Sequence, residues 1–155
     1  MNKIEKVETL MTALQSGDLE MAASILSDDF TISGLTPEPL DKGIFLAVQS
    51  ELLAAMPDFS YNLGDVRQED DKVKAFISIT GTNTRELSLP MFGLQSVPAT
   101  GLNVILPQVQ AEYLLEKDLV KNMRIWEEPG SGLSGMLQQI GAELPVLPRE
   151  NNFPQ

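Results

Sequence analysis

Few residues in this chain can do chemistry: Glu127 near the end of an alternating apolar segment, Tyr61 and Tyr113 in two other such segments, and no histidine or cysteine anywhere. Without imidazole or thiol, the commonest routes to proton transfer, nucleophilic attack and metal ligation are closed. What remains is a carboxylate that carries a proton and a phenol that polarises an oxygen. Glu127 shares strand parity with Met123 and Ile125. If that face lines a pocket, its carboxylate ends an apolar wall, a setting in which burial suits a carboxyl to accept and return protons. The other reading is a solvated strand end beside Glu128. Arg124 has the opposite parity and reads as a surface or interface ion pair.

Tyr61 and Tyr113 can each donate to a ligand carbonyl while the ring stays in apolar surroundings, or reach solvent at a strand edge. Trp126, the sole tryptophan, fits a pocket rim, a dimer surface or the core. Met56, Phe59, Phe76 and Met123 offer soft apolar surface for an irregular hydrophobic ligand, or simply fill the interior. Met91 and Phe92 lie in a segment rich in Pro and Gly, where two large apolar side chains are expected to cover a pocket mouth or an interface. Asp28-Asp29 and Glu69-Asp70-Asp71 lack the spaced oxygens and Gly of a calcium loop, so capping and hairpin roles are expected. No metal or other cofactor is implied.

These residues need elements to place them. Ile4, Val7, Leu10, Met11 and Leu14 recur at helical spacing and predict an amphipathic helix stopping at Ser16-Gly17. Asp18 caps a second helix carrying Leu19, Ala22, Ala23, Ile25 and Leu26, with Gly17 as the corner of a helical hairpin. A short strand follows at Phe30 to Ser33. Asp41 opens the longest helix, with Ile44, Phe45, Val48, Leu52, Ala55 and Met56 on its apolar side, and it must end before Pro57. The period then becomes two. Asp58 to Leu63 and Val73 to Thr80 predict strands flanking a hairpin at Glu69-Asp70-Asp71-Lys72, and Arg85 to Gly101 predicts a long irregular loop. Strands over about Asn103 to Leu115 and Leu119 to Glu128 meet at a tight Glu116-Lys117-Asp118 turn. Ser134 is placed to cap a last helix to about Ala142. Segregated helices and strands of this order imply an α+β fold with a mostly antiparallel sheet.

Composition bounds the setting. At 155 residues and 17.0 kDa, with 43% hydrophobic and 21% charged residues, the chain fits one domain that buries roughly 70% of its unfolded surface. That domain is expected over residues 1–144, with a Pro- and Asn-rich, poorly ordered tail over 145–155. A net charge of -11 would repel nucleic acid and anionic lipid surfaces alike. No stretch approaches the roughly 20 apolar residues of a membrane span, and the charged start has no apolar signal core, so a cytoplasmic location is expected.

Four short motifs recur in order: Pro57-Asp58, Gly81-Thr82, Pro98-Ala99-Thr100-Gly101 and Leu137-Gln138-Gln139-Ile140-Gly141. In them the chain resembles the SnoaL-like, ester cyclase-like branch of the NTF2-like superfamily over nearly its whole length. The resemblance implies a cone, a curved sheet wrapped around the long helix, with an apolar pocket at one end and often a homodimer on the outer face of the sheet. Enzymes of the branch close a ring in a polyketide ester by proton transfer, typically through an Asp near the end of the last strand, sometimes with a His. Glu127 stands where an acidic residue is common, Arg124 occupies another position that is often Asp, Met123 replaces a frequent aromatic, and the His has no counterpart. Two functions remain open: a homodimeric module holding a small apolar molecule, or a cofactor-independent lyase, isomerase or cyclase using Glu127 with Tyr61 or Tyr113.

Overall fold

The computed structural model of the chain describes residues 1–142. The end of the expected domain and the expected tail lie outside the described residues. Helix α1 (Lys3–Ser16) starts with a reciprocal capping box: Asn2 accepts from the Glu5 N–H, and the Glu5 carboxylate accepts from the Asn2 N–H. Asp18 caps α2 (Leu19–Ile25) and Asp41 caps α3 (Lys42–Ala55), each accepting a backbone N–H three residues on.

The main sheet has six strands in the order β2-β1-β8-β7-β4-β3. These are β1 (Leu26–Ser33), β2 (Leu40–Asp41), β3 (Gly64–Glu69), β4 (Lys72–Ile77), β7 (Val109–Glu116) and β8 (Leu119–Ile125). All neighbours are antiparallel except β1 and β8, which run parallel, so the last strand is inserted between the first and the seventh. A second, two-stranded sheet pairs β5 (Thr80–Thr82) with β6 (Asn103–Ile105). Helix α1 packs on β3 and β4, α3 on β1, and α4 (Gly132–Gln139) on β6. One continuous apolar core runs from Val7 to Ile140.

Several boundaries differ from the sequence reading, each for a local reason. The first strand begins at Leu26, because α2 closes at Ile25 and the chain passes straight into pairing with β8. Phe59 to Leu63 keeps its alternation but pairs only locally, through a single bridge of Ser60 with Thr80 and the Ser78 N–H that donates to the Tyr61 C=O, before Asn62 at φ 48 breaks the run; the outward Tyr61 N–H donates to Gln15 Oε1. Ladder pairing resumes at Gly64. The strand expected over Asn103 to Leu115 is split at Leu106-Pro107-Gln108, where proline removes a donor, and the one expected to reach Glu128 ends at Ile125. Ile44 is exposed, not inward. Ser131, not Ser134, occupies the N-cap of α4, and its hydroxyl accepts from the Glu128 N–H. The predicted β7–β8 turn is present, with Lys117 and Asp118 both at positive φ (54 and 65), as a two-residue hairpin of matching twist requires.

Candidate functional site

The interior polar groups form a chain across the core. Leu14 is in the last turn of α1, where carbonyls have no helical partner, and its C=O accepts from Gln49 Nε2 at 3.1 Å. Gln49 Oε1 in turn accepts from the Tyr61 hydroxyl. Tyr61 is set by a T-shaped contact with Phe59, ring centroids 4.9 Å apart. Tyr113 projects from β7 into the same core, fully buried, and its hydroxyl has no hydrogen-bond partner. Burial pushes both phenols far above the ordinary tyrosine range, and Tyr61 adds to the shift at Tyr113. No Asp, Glu, Lys or Arg is buried among the described residues.

The candidates divide between two faces. Met56, Phe59 and Met123 are buried in the core, and Met123 is the cross-strand partner of Tyr113. Glu127 is exposed beyond the end of β8, so it does not share the interior with either tyrosine hydroxyl. Phe76 and Trp126 are on the outer face of the sheet rather than inside: the Arg67 guanidinium lies 5.8 Å from the Phe76 ring centroid and that of Arg124 4.6 Å from Trp126. Arg124 thus lies over an aromatic ring within the chain, where a surface or interface ion pair was expected. Asp29 pairs with Lys121 and Ser27, Asp28 with Lys42, and Glu69 with Arg67 and Lys74, in keeping with structural roles for both acidic runs.

The expected long loop is closed by Asn83, a fully buried residue that the sequence reading passed over. Asn83 Nδ2 donates to the Arg85 C=O at 2.8 Å, and its Oδ1 accepts from the Thr100 N–H and hydroxyl at 3.0 and 2.7 Å. Gly101 follows at φ 73, a backbone that glycine adopts freely, and its N–H reaches the Asn83 C=O. Leu87 and Leu89 fill the interior from this loop, whereas Met91 is partly exposed and Phe92 half-buried in a 3-10 turn, Pro90–Phe92. The Leu-Ser-Leu alternation at 87–89 was the available signal. Gln49 gave none, because it falls on the apolar side of α3 between Phe45 and Leu52.

Beside the end of β8 there is a cavity of about 10 Å³ among Leu35, Ile77, Ile79, Val109 and Ile125, near the minimum needed for one water. The apolar hollow expected from the resemblance is therefore nearly filled there.

The signature motifs converge on the small sheet. The Asp58 carboxylate accepts from the Thr82 N–H and hydroxyl, both at 2.8 Å. Thr100 and Gly101 tie down Asn83, which follows β5 directly. The Gln139 carboxamide accepts from the Ile105 N–H at 2.8 Å and donates to its C=O at 2.9 Å, standing in for a neighbouring strand at the edge of β6. The motifs are joints of the scaffold, not reacting groups.

The profile of the SnoaL-like domain matches residues 7–111. Among solved structures, the fold superposes on IdmH, a proposed polyketide cyclase from Streptomyces antibioticus, with TM-score 0.67 and 21% identity, covering 91% of this chain and 100% of that one. AclR, a proposed hydroxylase from Streptomyces galilaeus, gives TM-score 0.67 and 18% identity over 88% and 93% of the two chains. An LEH-like epoxide hydrolase from M. tuberculosis gives 0.63 and 14% over 88% and 90%. No curated protein matches significantly. Identities this low carry the fold and not the reaction. The profile spans most of the chain and the solved relatives share its architecture: the chain belongs to the SnoaL-like domain family.

Proposed function

We propose that this SnoaL-like chain is a non-catalytic module that holds a small, neutral apolar molecule and pairs with a second copy of itself. The observation that carries this reading is the chemistry of the interior: its only titratable groups among the described residues are two tyrosines, both too weakly acidic to exchange protons near neutral pH. Glu127, the one carboxylate suited by position to serve a pocket, stands in solvent. Met56, Phe59 and Met123 would form the wall against the molecule, and a thioether wall adapts its shape at low cost.

The outer face of the sheet supports the pairing. Phe76, Leu114 and Trp126 are interleaved there with Arg67, Lys72, Lys74, Lys121 and Arg124, five of the chain's eleven basic residues. Asp29, Asp65, Glu69, Glu112 and Glu116, five carboxylates, balance them. In a chain of net charge -11, this near-neutral face is where a like-charged copy meets least repulsion.

Native mass spectrometry of protein purified from its own host tests the reading. The expected result is a dimer of the 17.0 kDa chain carrying a co-purifying neutral molecule, with Trp126→Glu giving monomer. A bare 17.0 kDa species at micromolar concentration would overturn it.

A further inference from the structure

The exposed charges of α1 are sorted by side. Lys3 and Lys6 line a cleft shared with Lys117 of the β7–β8 turn, whereas Glu5 and Glu8 line an open groove of about 500 Å³ between α1 and α2, together with Thr12, Asp18, Met1 and Met21. Lys3 and Lys6 are three residues apart, as are Glu5 and Glu8, and like charges at that spacing weaken a helix that opposite charges would strengthen. The helix gives up local stability to keep one acidic and one basic side. No Lys or Arg lines the groove. Among the described residues Glu5, Glu8 and Asp18 form no ion pair. Glu5 and Asp18 each spend one oxygen on a helix cap, accepting from the Asn2 and Met21 N–H, and keep the other free.

We propose that this groove docks a segment of a partner protein that carries basic and apolar residues side by side at two points. The charge balance favours such an occupant: on the outer face of the sheet five bases meet five carboxylates, so the excess behind a net charge of -11 lies elsewhere, and part of it is gathered here without counter-charge. Each end of the groove sets a methionine near carboxylates. Met1 enters from before α1, beside the turn that carries Glu5 and Glu8, and Met21 from the first turn of α2, which Asp18 caps. Met21 is 43% exposed, and a thioether adapts to an apolar side chain laid against it. From Glu5 to Ser16, α1 runs roughly 16 Å, which sets the separation of the two points on the partner. The docking surface is independent of the interior and of the sheet face.

The test uses the full chain and a fluorescent peptide of about 14 residues, long enough to span the groove as a helix, with Lys-Leu-Lys at each end and Ala and Gln between. One control peptide has Ser for Leu and another Glu for Lys. At low ionic strength the wild-type chain should bind the first peptide more tightly than either control, with a shift of the Met21 ε-methyl resonance, a result that needs no variant. Glu5→Gln/Glu8→Gln/Asp18→Asn removes three charges and keeps both caps, because Gln completes a capping box and Asn caps as well as Asp. It should weaken binding about tenfold, the combined worth of three exposed ion pairs. Glu38→Gln/Glu127→Gln/Glu128→Gln removes three exposed charges elsewhere and should leave the affinity within about twofold. Equal losses in the two variants, or a Ser peptide bound as well as the Leu peptide, would reduce the effect to the net charge of the chain and overturn the proposal. Binding that leaves Met21 unmoved, or no preference over the Glu peptide, overturns it as well.

Discussion

Asn83→Ala removes three hydrogen bonds at once, to the Arg85 C=O, the Thr100 N–H and the Thr100 hydroxyl, at a position with no solvent exposure. At about 1 kcal/mol net for each bond, the loss is about 3 kcal/mol. For a domain of this size each kcal/mol moves the melting temperature by roughly 2–4 °C, so the variant should melt roughly 6–12 °C lower. Thr100→Val provides the control. It loses the hydroxyl bond to Asn83 and the 3.2 Å bond from the Leu102 N–H, about 2 kcal/mol, and keeps the backbone bond to Asn83. Because one bond is common to the two variants, the double variant should fall short of additivity by about 1 kcal/mol. Urea unfolding followed by circular dichroism gives these differences, and hydrogen exchange at Leu87 and Val97, whose amides bond each other's carbonyls at 2.8 Å, reports the loop itself. Exchange there should rise in Asn83→Ala as the hinge loosens. A melting shift under 2 °C, strict additivity, or unchanged exchange would refute the claim that Asn83 fastens the loop carrying Leu87 and Leu89 into the core.

Two further outcomes follow from the joints of the small sheet and the last helix. In Gly135→Ala the usual gain of about 1 kcal/mol for alanine in a helix should reverse, because a Cβ there would lie 1.9 Å from the Gly130 carbonyl oxygen; a raised melting temperature would contradict the close approach. The Thr82 hydroxyl and N–H hold the Asp58 carboxyl below its ordinary value of 3.8. A depressed folded value means the ionised form stabilises the fold above the unfolded value, and the contribution disappears as pH falls through the folded one. The stability difference between wild type and Asp58→Asn should therefore be constant from pH 7 to about 5 and shrink below about pH 4. A difference that grows with acidification would show the sign to be wrong.

Much of the scaffold was legible because its signals are local. Asp18 and Asp41 cap helices through their own side chains, and the Glu116-Lys117-Asp118 turn is fixed by backbone sterics within three residues. The misplaced boundaries are those set from a distance. The run at Phe59 to Leu63 stays a single bridge because Asn62, at positive φ, turns its carboxamide onto Ser78 and Thr80, and β1 starts early because β8, some ninety residues on, offers it a partner. The candidate site was half legible. Both tyrosines could be singled out by type, but Gln49 sits among apolar residues of α3 and its use emerges only when α1 and Tyr61 approach it. For Glu127 parity left an inward position open beside the solvated strand end, and parity stops counting once the strand ends at Ile125.

The parallel seam between β1 and β8 constrains the order of events during synthesis. Ribosomes deliver β1 first and β8 last among the described strands, so β1 waits through most of the sheet's synthesis for this neighbour, and β7 joins that wait just before β8 emerges. A nascent chain halted before Leu119 would present two ladders seeking a partner, the template on which unfinished chains stick to one another. Completion of this domain thus hinges on seven residues arriving late, Leu119–Ile125, and a cell making it would be expected to shield the intermediate until they emerge.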